Sequence, residues 1–242
     1  MHRTAGLLII GNEILSGKVQ DANSPFLCRE LRALGVDVRK ISVIPDDLDV
    51  IAREISEFSG RFDLVFTSGG VGPTHDDMTI EGIARGFGAR VVRHPKLQAM
   101  IEGHYKDRVK ETDLKMAEIP EGSELIQDSR LWVPVIVYKN VYIFPGIPEI
   151  LRQKFETIKE RFREAPFHLR KVYVSDGESA IAEMLHALLH EYPQLLLGSY
   201  PVINVPEYKV MLTLESRDAE YLEGALQSLL GKLPRSSVVR IE

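Results

Sequence analysis

A glycine-rich stretch followed by two adjacent carboxylates is the part of the sequence best suited to chemistry. It contains Gly69, Gly70 and Gly72, and then Asp76 and Asp77. Glycines let the backbone approach a ligand closely, and a helix that starts after such a turn offers unpaired N–H groups to phosphate. Carboxylates repel phosphate, so their presence here indicates a divalent cation between them and the anion. The stretch therefore predicts a site for a phosphorylated small molecule and a metal.

We call the segment from Gly69 to Asp77 the glycine–acid loop. The backbone amides of its three glycines are expected to hold a diphosphate, with Thr74 and His75 as further substrate contacts. A hydrogen bond from His75 to the loop backbone is the alternative for that residue. The simpler interpretation of the whole segment is a tight turn in which Asp76 or Asp77 caps the next helix, and one of the two is expected to be a cap in either case.

A second polar group follows the first apolar strand of the sequence. Glu13 comes directly after the strand Ala5–Ile10, and Asp21 and Asn23 lead into the next helix. We expect Glu13 and Asp21 to join the two loop acids around the metal, and Asn23 to bind a polar group of the ligand. The alternative is structural: Asn23 or Ser24 caps the helix, and Asp21 lies on the surface.

A third candidate segment is Pro145-Gly146-Ile147-Pro148, between a strand and a helix. Prolines on both sides of a glycine hold a rigid turn, and Pro148 suits the first turn of a helix. Taken alone, the segment is equally typical of a stiff connector. Because it follows another strand of the same sheet, we expect Pro145 and Gly146 to form a second wall of the site.

Strands alternate with amphipathic helices through the first two thirds of the chain. The predicted strands are Ala5–Ile10, Val36–Val43, Phe62–Thr67 and Arg90–Arg93, and the helices are Ser24–Leu34, Asp47–Ser59, Met78–Phe87 and Pro95–Val109. Continuously apolar strands predict a parallel sheet with helices on both faces, which is a three-layer α/β domain. Ligands of such sheets bind at the carboxyl ends of the strands, and each of the three candidate segments follows a strand. A β-hairpin over Trp132–Phe144 and a helix at Glu149–Phe162 complete this domain, which we assign to residues 1–165.

Residues 166–242 predict a separate, small α+β domain. The pattern restarts after Glu164-Ala165-Pro166 with the order βαββαβ, which is typical of ferredoxin-like folds, and its first helix is predicted at Glu178–Glu191. The domain has no glycine–acid loop of its own. Its apolar residues exceed what a small core needs, so we expect it to pack on a second copy and give a homodimer. The alternative is that these residues are all buried within the domain; they are Leu195–Leu197, Tyr200, Val202, Val205 and Tyr208.

Composition excludes several classes of function for this chain of 242 residues. A formal net charge of −5 argues against a nucleic-acid partner, which normally meets a basic surface. No apolar run reaches the roughly 18 residues of a membrane-spanning helix. Cys28 is the single cysteine, so no internal disulfide is possible, and a reducing cytoplasm is the expected location.

Three segments together resemble the molybdopterin-binding domain of molybdenum-cofactor biosynthesis proteins: Thr67–Thr79, the turn Gly11-Asn12-Glu13, and Pro145-Gly146-Ile147-Pro148. The match covers about residues 4–162. It is most similar to the CinA-like (competence/damage-inducible protein A) branch, which shares Gly-Pro-Thr-His-Asp-Asp at 72–77 and Asp-Ala-Asn at 21–23, and to the corresponding domain of eukaryotic FAD synthase. Residues 168–242 resemble the KH-like domain that follows in CinA-like proteins, but they lack a Gly-x-x-Gly loop, so RNA binding is not implied.

The resemblance implies a metal-dependent pyrophosphatase that acts on ADP-ribose or FAD with Mg, Mn or Co. In it Asp76, Asp77 and Glu13 would hold the cation. Members that handle pterin usually carry Thr at position 71 and a basic residue at position 76, where this chain has Val71 and Asp76; Asn12 stands where Asp is common. A carboxylate in place of a cation favours metal over direct phosphate pairing. The alternatives are a non-catalytic molybdopterin- or nucleotide-binding module, and a scaffold that acts through the second domain.

Overall fold

Two separate main sheets organise the protein, and each belongs to its own compact unit, Met1–Glu164 or Ala165–Glu242. The computed structural model describes residues 2–242. The strands of the first unit are β1 (Thr4–Ile10), β2 (Asp37–Ile44), β3 (Leu64–Ser68), β4 (Val91–Arg93), β5 (Glu118–Pro120), β6 (Glu124–Ile126), β7 (Val135–Tyr138) and β8 (Val141–Phe144). Its helices are α1 (Asn12–Leu15), α2 (Asn23–Ala33), α3 (Leu48–Arg61), α4 (Thr79–Gly86), α5 (Pro95–Tyr105), α6 (Glu111–Leu114) and α7 (Pro148–Ile158).

The main sheet of the first unit has the strand order β2-β1-β3-β8-β7-β6. The four strands β2, β1, β3 and β8 are mutually parallel, whereas β7 and β6 are antiparallel to their neighbours. The expected parallel sheet is therefore mixed at one edge. The reason is the predicted hairpin: a connection as short as Lys139-Asn140 can only join antiparallel strands.

The predicted strand Arg90–Arg93 is observed as β4, and the expectation that it belongs to the main sheet is wrong. It pairs instead with β5 in a separate two-stranded antiparallel sheet. The short helices α1 and α6 and the strands β5 and β6 had no counterpart in the prediction. Each has only three or four residues, which is too short for a periodic pattern to emerge.

Helices cover both faces of the main sheet, which confirms the three-layer α/β architecture. On β1, the neighbouring residues Leu7 and Leu8 point to opposite faces, and both are fully buried. Leu8 packs in the cluster that contains Ile51 of α3 and Ile83 of α4. Leu7 packs with α2 and α7 on the other face. Burial on both faces explains why the strand sequence is continuously apolar.

The second unit contains β9 (His168–Val174), α8 (Glu178–Glu191), β10 (Leu196–Pro201), β11 (Val210–Ser216), α9 (Ala219–Lys232) and β12 (Val238–Ile241). Its antiparallel sheet has the order β10-β11-β9-β12, as the βαββαβ pattern predicts. Val172 and Leu212 pack against the two helices and are fully buried. On β10, Leu196 and Tyr200 are about half exposed, whereas Leu195 just before the strand is buried. Within residues 2–242, no helix is long and apolar enough to cross a membrane.

Candidate functional site

The glycine–acid loop joins β3 to α4 at the carboxyl edge of the parallel strands. Gly69 has φ +104° and Gly70 has φ +60°, a region that other residues rarely adopt. A Cβ atom on Gly69 would lie 2.0 Å from the carbonyl oxygen of Ile10, at the end of β1. The loop therefore lies directly against the neighbouring strand, and only glycine fits at position 69.

Hydrogen bonds from neighbouring elements fix the start of the loop. The N–H of Gly69 donates to the carbonyl of Phe144 on β8, over 3.2 Å. The fully buried Thr79 closes the loop from the other side: its hydroxyl donates to Gly69 O (2.8 Å) and its N–H to Gly70 O (3.0 Å). The Gly69 amide is thus engaged in the protein. Between residues 2 and 242, no acceptor is found for the N–H of Gly70 or Gly72, so both of these glycine amides are available to an anion.

The expectation that Asp76 or Asp77 caps α4 is wrong. The helix begins after Met78, which has no side-chain cap. The Asp77 carboxylate bends back into the loop instead, where Oδ2 accepts from both the N–H and the hydroxyl of Thr74. Aspartate makes such turns readily because its short side chain reaches nearby backbone N–H groups. This local turn holds Asp77 beside the glycines.

The Asp77 side chain lines a small pocket, which we call the loop cavity. Gly70 and Gly72 line the same cavity. Lys115, from the turn before β5, also lines it. The other lining residues are Val71, Ile80, Glu81, Val91, Met116, Glu118 and Ile136. Two glycines with unpaired amides, the carboxylate residues Asp77, Glu81 and Glu118, and one lysine thus line the same space.

Lys115 is a functional candidate that the sequence analysis missed. Its Nζ donates to the carbonyl of Thr74 (2.8 Å) and to that of Asp77 (3.2 Å). These contacts leave one ammonium N–H for a ligand, since lysine has three. Lys115 comes 38 residues after Asp77, and no local spacing connects it with the loop. Only the tertiary fold reveals the contact.

A second pocket is lined by Gly69, and we call it the turn cavity. It brings together five predicted site residues: Glu13, Asp21, Asn23, Gly69 and Gly146. The remaining lining residues are Ile9, Ile10, Ile14, Val19, Gln20, Ala22, Ser68 and Pro148. The predicted residues are therefore not gathered in one site: Gly70, Gly72 and Asp77 line the loop cavity, the five residues above line the turn cavity, and the others line neither.

Asn23 connects three elements at the turn cavity and keeps one polar atom unpaired. Its Nδ2 donates to Ser68 Oγ (2.8 Å) and to Gly146 O (2.7 Å), although only 5% of the residue is exposed. The Gly146 carbonyl can only accept, so it determines which amide atom is the nitrogen. Oδ1 is buried and has no partner within residues 2–242. An unpaired buried acceptor costs about 1–3 kcal/mol, so a donor from a ligand would be stabilising here.

Asp21 and Asp46 hold the backbone around the turn cavity. Asp21 Oδ1 accepts from the N–H groups of Asn23 (2.8 Å) and Ser24 (3.1 Å), so Asp21 itself supplies the acceptor at the start of α2. The alternative in which Asn23 or Ser24 provides this cap is wrong. Asp46, after β2, accepts from the N–H of Asn12 (2.7 Å) and faces Gly70.

The tip of the glycine–acid loop is exposed to solvent. The side chains of His75 and Asp76 are 98% and 63% exposed, and their nearest polar atoms are 3.9 Å apart. Neither residue lines the loop cavity or the turn cavity. The Thr74 hydroxyl and the loop backbone lower the pKa of the Asp76 carboxyl, so this group is ionised at neutral pH.

The predicted metal site is not preassembled. In the described part of the chain, no three His, Cys, Asp or Glu side chains form a cluster that could hold a metal ion. A single carboxylate can suffice for Mg²⁺, which proteins commonly bind through one or two carboxylates and the phosphates of the substrate. Asp77 beside the two free glycine amides meets that requirement. The metal assignment of Glu13, Asp21, Asp76 and Asp77 stays a prediction.

Two family models together cover almost the entire chain. Residues 6–165 match the model described as a probable molybdopterin binding domain. Residues 166–242 match the middle domain of FAD synthase. The boundary between the two matches coincides, within one residue, with the division into compact units.

Individual relatives agree with these models. The chain is 35% identical to a protein of Archaeoglobus fulgidus over 91% of this chain and 94% of the relative. It is 32% identical to a probable FAD synthase of Caenorhabditis elegans over 94% of this chain, but spans only 49% of that relative. The crystal structure of CinA from Thermoplasma acidophilum, whose function is unknown, is 32% identical, has a TM-score of 0.61, and covers 67% of this chain and 100% of its own. The resemblance predicted from the motifs is thereby confirmed: the chain belongs to the family of the probable molybdopterin binding domain, with CinA-like proteins and FAD synthases among its relatives.

Proposed function

We propose that this protein hydrolyses the diphosphate linkage of an ADP-containing nucleotide, ADP-ribose or FAD, with the help of a divalent cation. One observation carries the proposal: the loop cavity combines two unpaired glycine amides with the Lys115 ammonium group and the Asp77 carboxylate. Amides and an ammonium group suit the oxygens of a diphosphate. The Asp77 carboxylate, with Glu81 and Glu118 in the same lining, would repel that anion unless a cation lay between them.

In this proposal the residues of the chain bind and orient the diphosphate. The N–H groups of Gly70 and Gly72 and the Nζ of Lys115 hold its oxygens, and they stabilise the charge that builds up as the linkage breaks. Water attacks one phosphorus atom, the bridging P–O bond breaks, and the two products are phosphate monoesters. They are AMP with ribose 5-phosphate from ADP-ribose, and AMP with FMN from FAD.

The cation would be held by Asp77 in the loop cavity. The further ligands Asp76, at the loop tip, and Glu13 and Asp21, in the turn cavity, rest on the sequence and its resemblance, because none of them lines the loop cavity. A bound Mg²⁺, Mn²⁺ or Co²⁺ polarises a phosphoryl oxygen and lowers the pKa of water. In the turn cavity, the unpaired Oδ1 of Asn23 suits a hydroxyl donor, such as a ribose hydroxyl of the nucleotide.

The relatives support a nucleotide as the substrate class. The C. elegans relative is named a probable FAD synthase, and the second unit matches the middle domain of that enzyme. This chain spans about half of that relative. We therefore infer from it only that the substrate of this chain is a nucleotide.

A hydrolysis assay with purified protein tests the proposal. ADP-ribose and FAD are incubated with Mg²⁺, Mn²⁺ or Co²⁺, and AMP is measured by chromatography. We expect AMP release that requires the cation, and its loss by at least about 100-fold in Asp77→Asn, since one transition-state contact is typically worth that much. Asp49→Asn, an exposed aspartate on α3, is the matched control and should retain the activity. Full cation-stimulated hydrolysis in Asp77→Asn would overturn the assignment.

A non-catalytic nucleotide- or molybdopterin-binding module is the second candidate. It is favoured by the absence, among residues 2–242, of a three-ligand cluster for a metal. Calorimetry with ADP-ribose, FAD and molybdopterin, each with and without cation, separates the two candidates. The module requires tight binding that does not depend on the cation and is not followed by turnover.

A further inference from the structure

The indole of Trp132 is partly exposed, although the segment that carries it is held in place. It is the single tryptophan of the chain, and it is 44% exposed. The imidazole of His104, at the end of α5, lies against it with ring centroids 4.2 Å apart, and Tyr105 contacts its edge at 6.1 Å. Tryptophan is enriched at binding surfaces because it offers a large flat ring, so an accessible indole held in place by neighbouring rings is a candidate for stacking.

The backbone on both sides of Trp132 is fixed. Leu131 is buried in one core cluster, and Val133 packs against the other. The Nζ of Lys154, from α7, donates to the carbonyls of Val133 (2.8 Å) and Pro134 (2.6 Å). Gln153, also on α7, donates to Arg130 O. Because this segment is already ordered, stacking a ligand on the indole costs little conformational entropy.

Trp132 lies at the same edge of the sheet as the glycine–acid loop. Strand β7 runs antiparallel to β8, so its first residue, Val135, is at the carboxyl edge of the parallel strands. Ile136 lines the loop cavity, and four residues of extended chain from Trp132 to Ile136 span at most about 14 Å. A nucleotide whose diphosphate binds the glycine–acid loop is long enough for its base to reach Trp132.

Trp132 also lies on the same face of the sheet as the loop cavity. Its contact Tyr105 and its neighbour Val133 pack against one core cluster. Val71 and Met116, which line the loop cavity, pack against that same cluster.

Given the proposed function, on which this step rests, we propose that Trp132 stacks on the aromatic base of the nucleotide whose diphosphate lies in the loop cavity. The imidazole of His104 supports one face of the indole, and the base covers the other. The ligand class is a dinucleotide or nucleoside diphosphate with a planar base, adenine or isoalloxazine. Stacking is tolerant of base identity because every base has a π-face.

Two ligands that differ in the base test this inference without relying on turnover. ADP-ribose carries the base, and inorganic pyrophosphate lacks it. Binding of each is measured by calorimetry with cation, at a temperature and time where hydrolysis is negligible. We expect Trp132→Ala to bind ADP-ribose about 10- to 100-fold more weakly, with pyrophosphate affinity unchanged. Trp132→Phe keeps an aromatic ring and should lose less. In the wild type, fluorescence of the single tryptophan should change with ADP-ribose and not with pyrophosphate.

The outcomes separate this inference from the proposed function. Equal ADP-ribose affinity in wild type, Trp132→Ala and Trp132→Phe overturns the stacking alone, as does an equal loss of pyrophosphate binding. A tryptophan signal that depends on protein concentration instead of nucleotide also overturns it, since it assigns the indole to a contact between copies. The expected affinity differences without any AMP release support the stacking and overturn the hydrolytic function. Failure of the wild type to bind either ligand overturns both.

Discussion

Gly69 is the residue on which the geometry of the candidate site depends most. Its positive φ and its contact with the Ile10 carbonyl both exclude a side chain. We expect Gly69→Ala to lower the free energy of unfolding by about 1–2 kcal/mol through φ strain and by a further 1–3 kcal/mol, approximately, through displacement of β1. Urea unfolding followed by Trp132 fluorescence measures this, because the single tryptophan lies in the first unit.

Gly17→Ala is the control for Gly69→Ala. Gly17 has a similar φ, +70°, but nothing lies within 4 Å of the position a Cβ would take. The control should show the cost of φ strain alone. Equal losses in the two variants would contradict the close approach of the loop to β1.

Single residues were predictable where their chemistry is local. Glycine in a turn predicts a positive φ, and the structure has a positive φ at two of the three glycines, Gly69 and Gly70. The cap was mispredicted because Asp77 had two local partners, and the Thr74 N–H outcompeted the start of α4. Lys115 was not predictable, since its contact with the loop depends on the path of the chain from α4 to β5.

Lys115 connects the turn before β5 to the glycine–acid loop. We expect Lys115→Met to lower kcat/KM for ADP-ribose hydrolysis by about 100-fold, since it removes a cationic donor at the diphosphate. Lys96→Met, at an exposed lysine of α5, is the control and should be unaffected. Steady-state kinetics measures both variants. Wild-type kcat/KM in Lys115→Met would show that the ammonium group does not face the substrate.

Helix α7 carries a buried lysine that makes the stability of the first unit dependent on pH. Lys154 is 7% exposed and donates to two carbonyls, without a carboxylate partner among the described residues. Burial lowers the pKa of Lys154 from 10.5 to about 8. Between these two values the unfolded chain binds more protons than the folded one, so this residue makes the protein more stable as pH rises.

Through Lys154, the free energy of unfolding should rise by about 2 kcal/mol between pH 7.5 and 9.5. Lys154→Met should remove this dependence, although it also leaves the carbonyls of Val133 and Pro134 unpaired and so lowers stability at both values. Urea unfolding at the two pH values gives the change of the free energy of unfolding with pH for each variant. Lys96→Met is the control and should show the same change as the wild type. The same slope in Lys154→Met and wild type would show that the buried ammonium group does not titrate in this range.

The longer elements were predictable from periodicity, and the short ones were not. The helix at Glu178–Glu191 was predicted with the bounds that the structure has, because its apolar positions repeat over nearly four turns. Strand β5, of three residues, offers no such repeat, and its pairing with β4 depends on contacts between residues about 28 apart in sequence. The division of the site into two cavities follows from such packing, and periodicity carries no information about it.

For the whole molecule, we predict a homodimer formed through the second unit. One face of its sheet carries the two helices, while residues of the strands such as Leu169, Leu196 and Tyr200 are between 41% and 50% exposed. A symmetric contact between two copies would bury this surface. Analytical ultracentrifugation at micromolar concentration should give a dimer for the full chain and a monomer for a chain ending at Glu164.

Tyr200→Ser provides a matched test in the full chain, since it changes the exposed surface and leaves the buried Leu212 in place. It should shift the sedimentation equilibrium toward monomer. A monomeric wild type would contradict the prediction of a dimer.

The position of β3 in the middle of the sheet has a consequence for how the protein emerges from the ribosome. Its neighbours are β1, about 60 residues earlier, and β8, about 76 residues later. The Gly69 N–H has its acceptor on Phe144, and Asn23 has one on Gly146. During synthesis the glycine–acid loop has Thr79 available early, but it lacks its hydrogen bond to β8 until more than 70 further residues have been translated. We expect the nascent chain to acquire nucleotide affinity abruptly, as β8 leaves the exit tunnel, and not gradually with length.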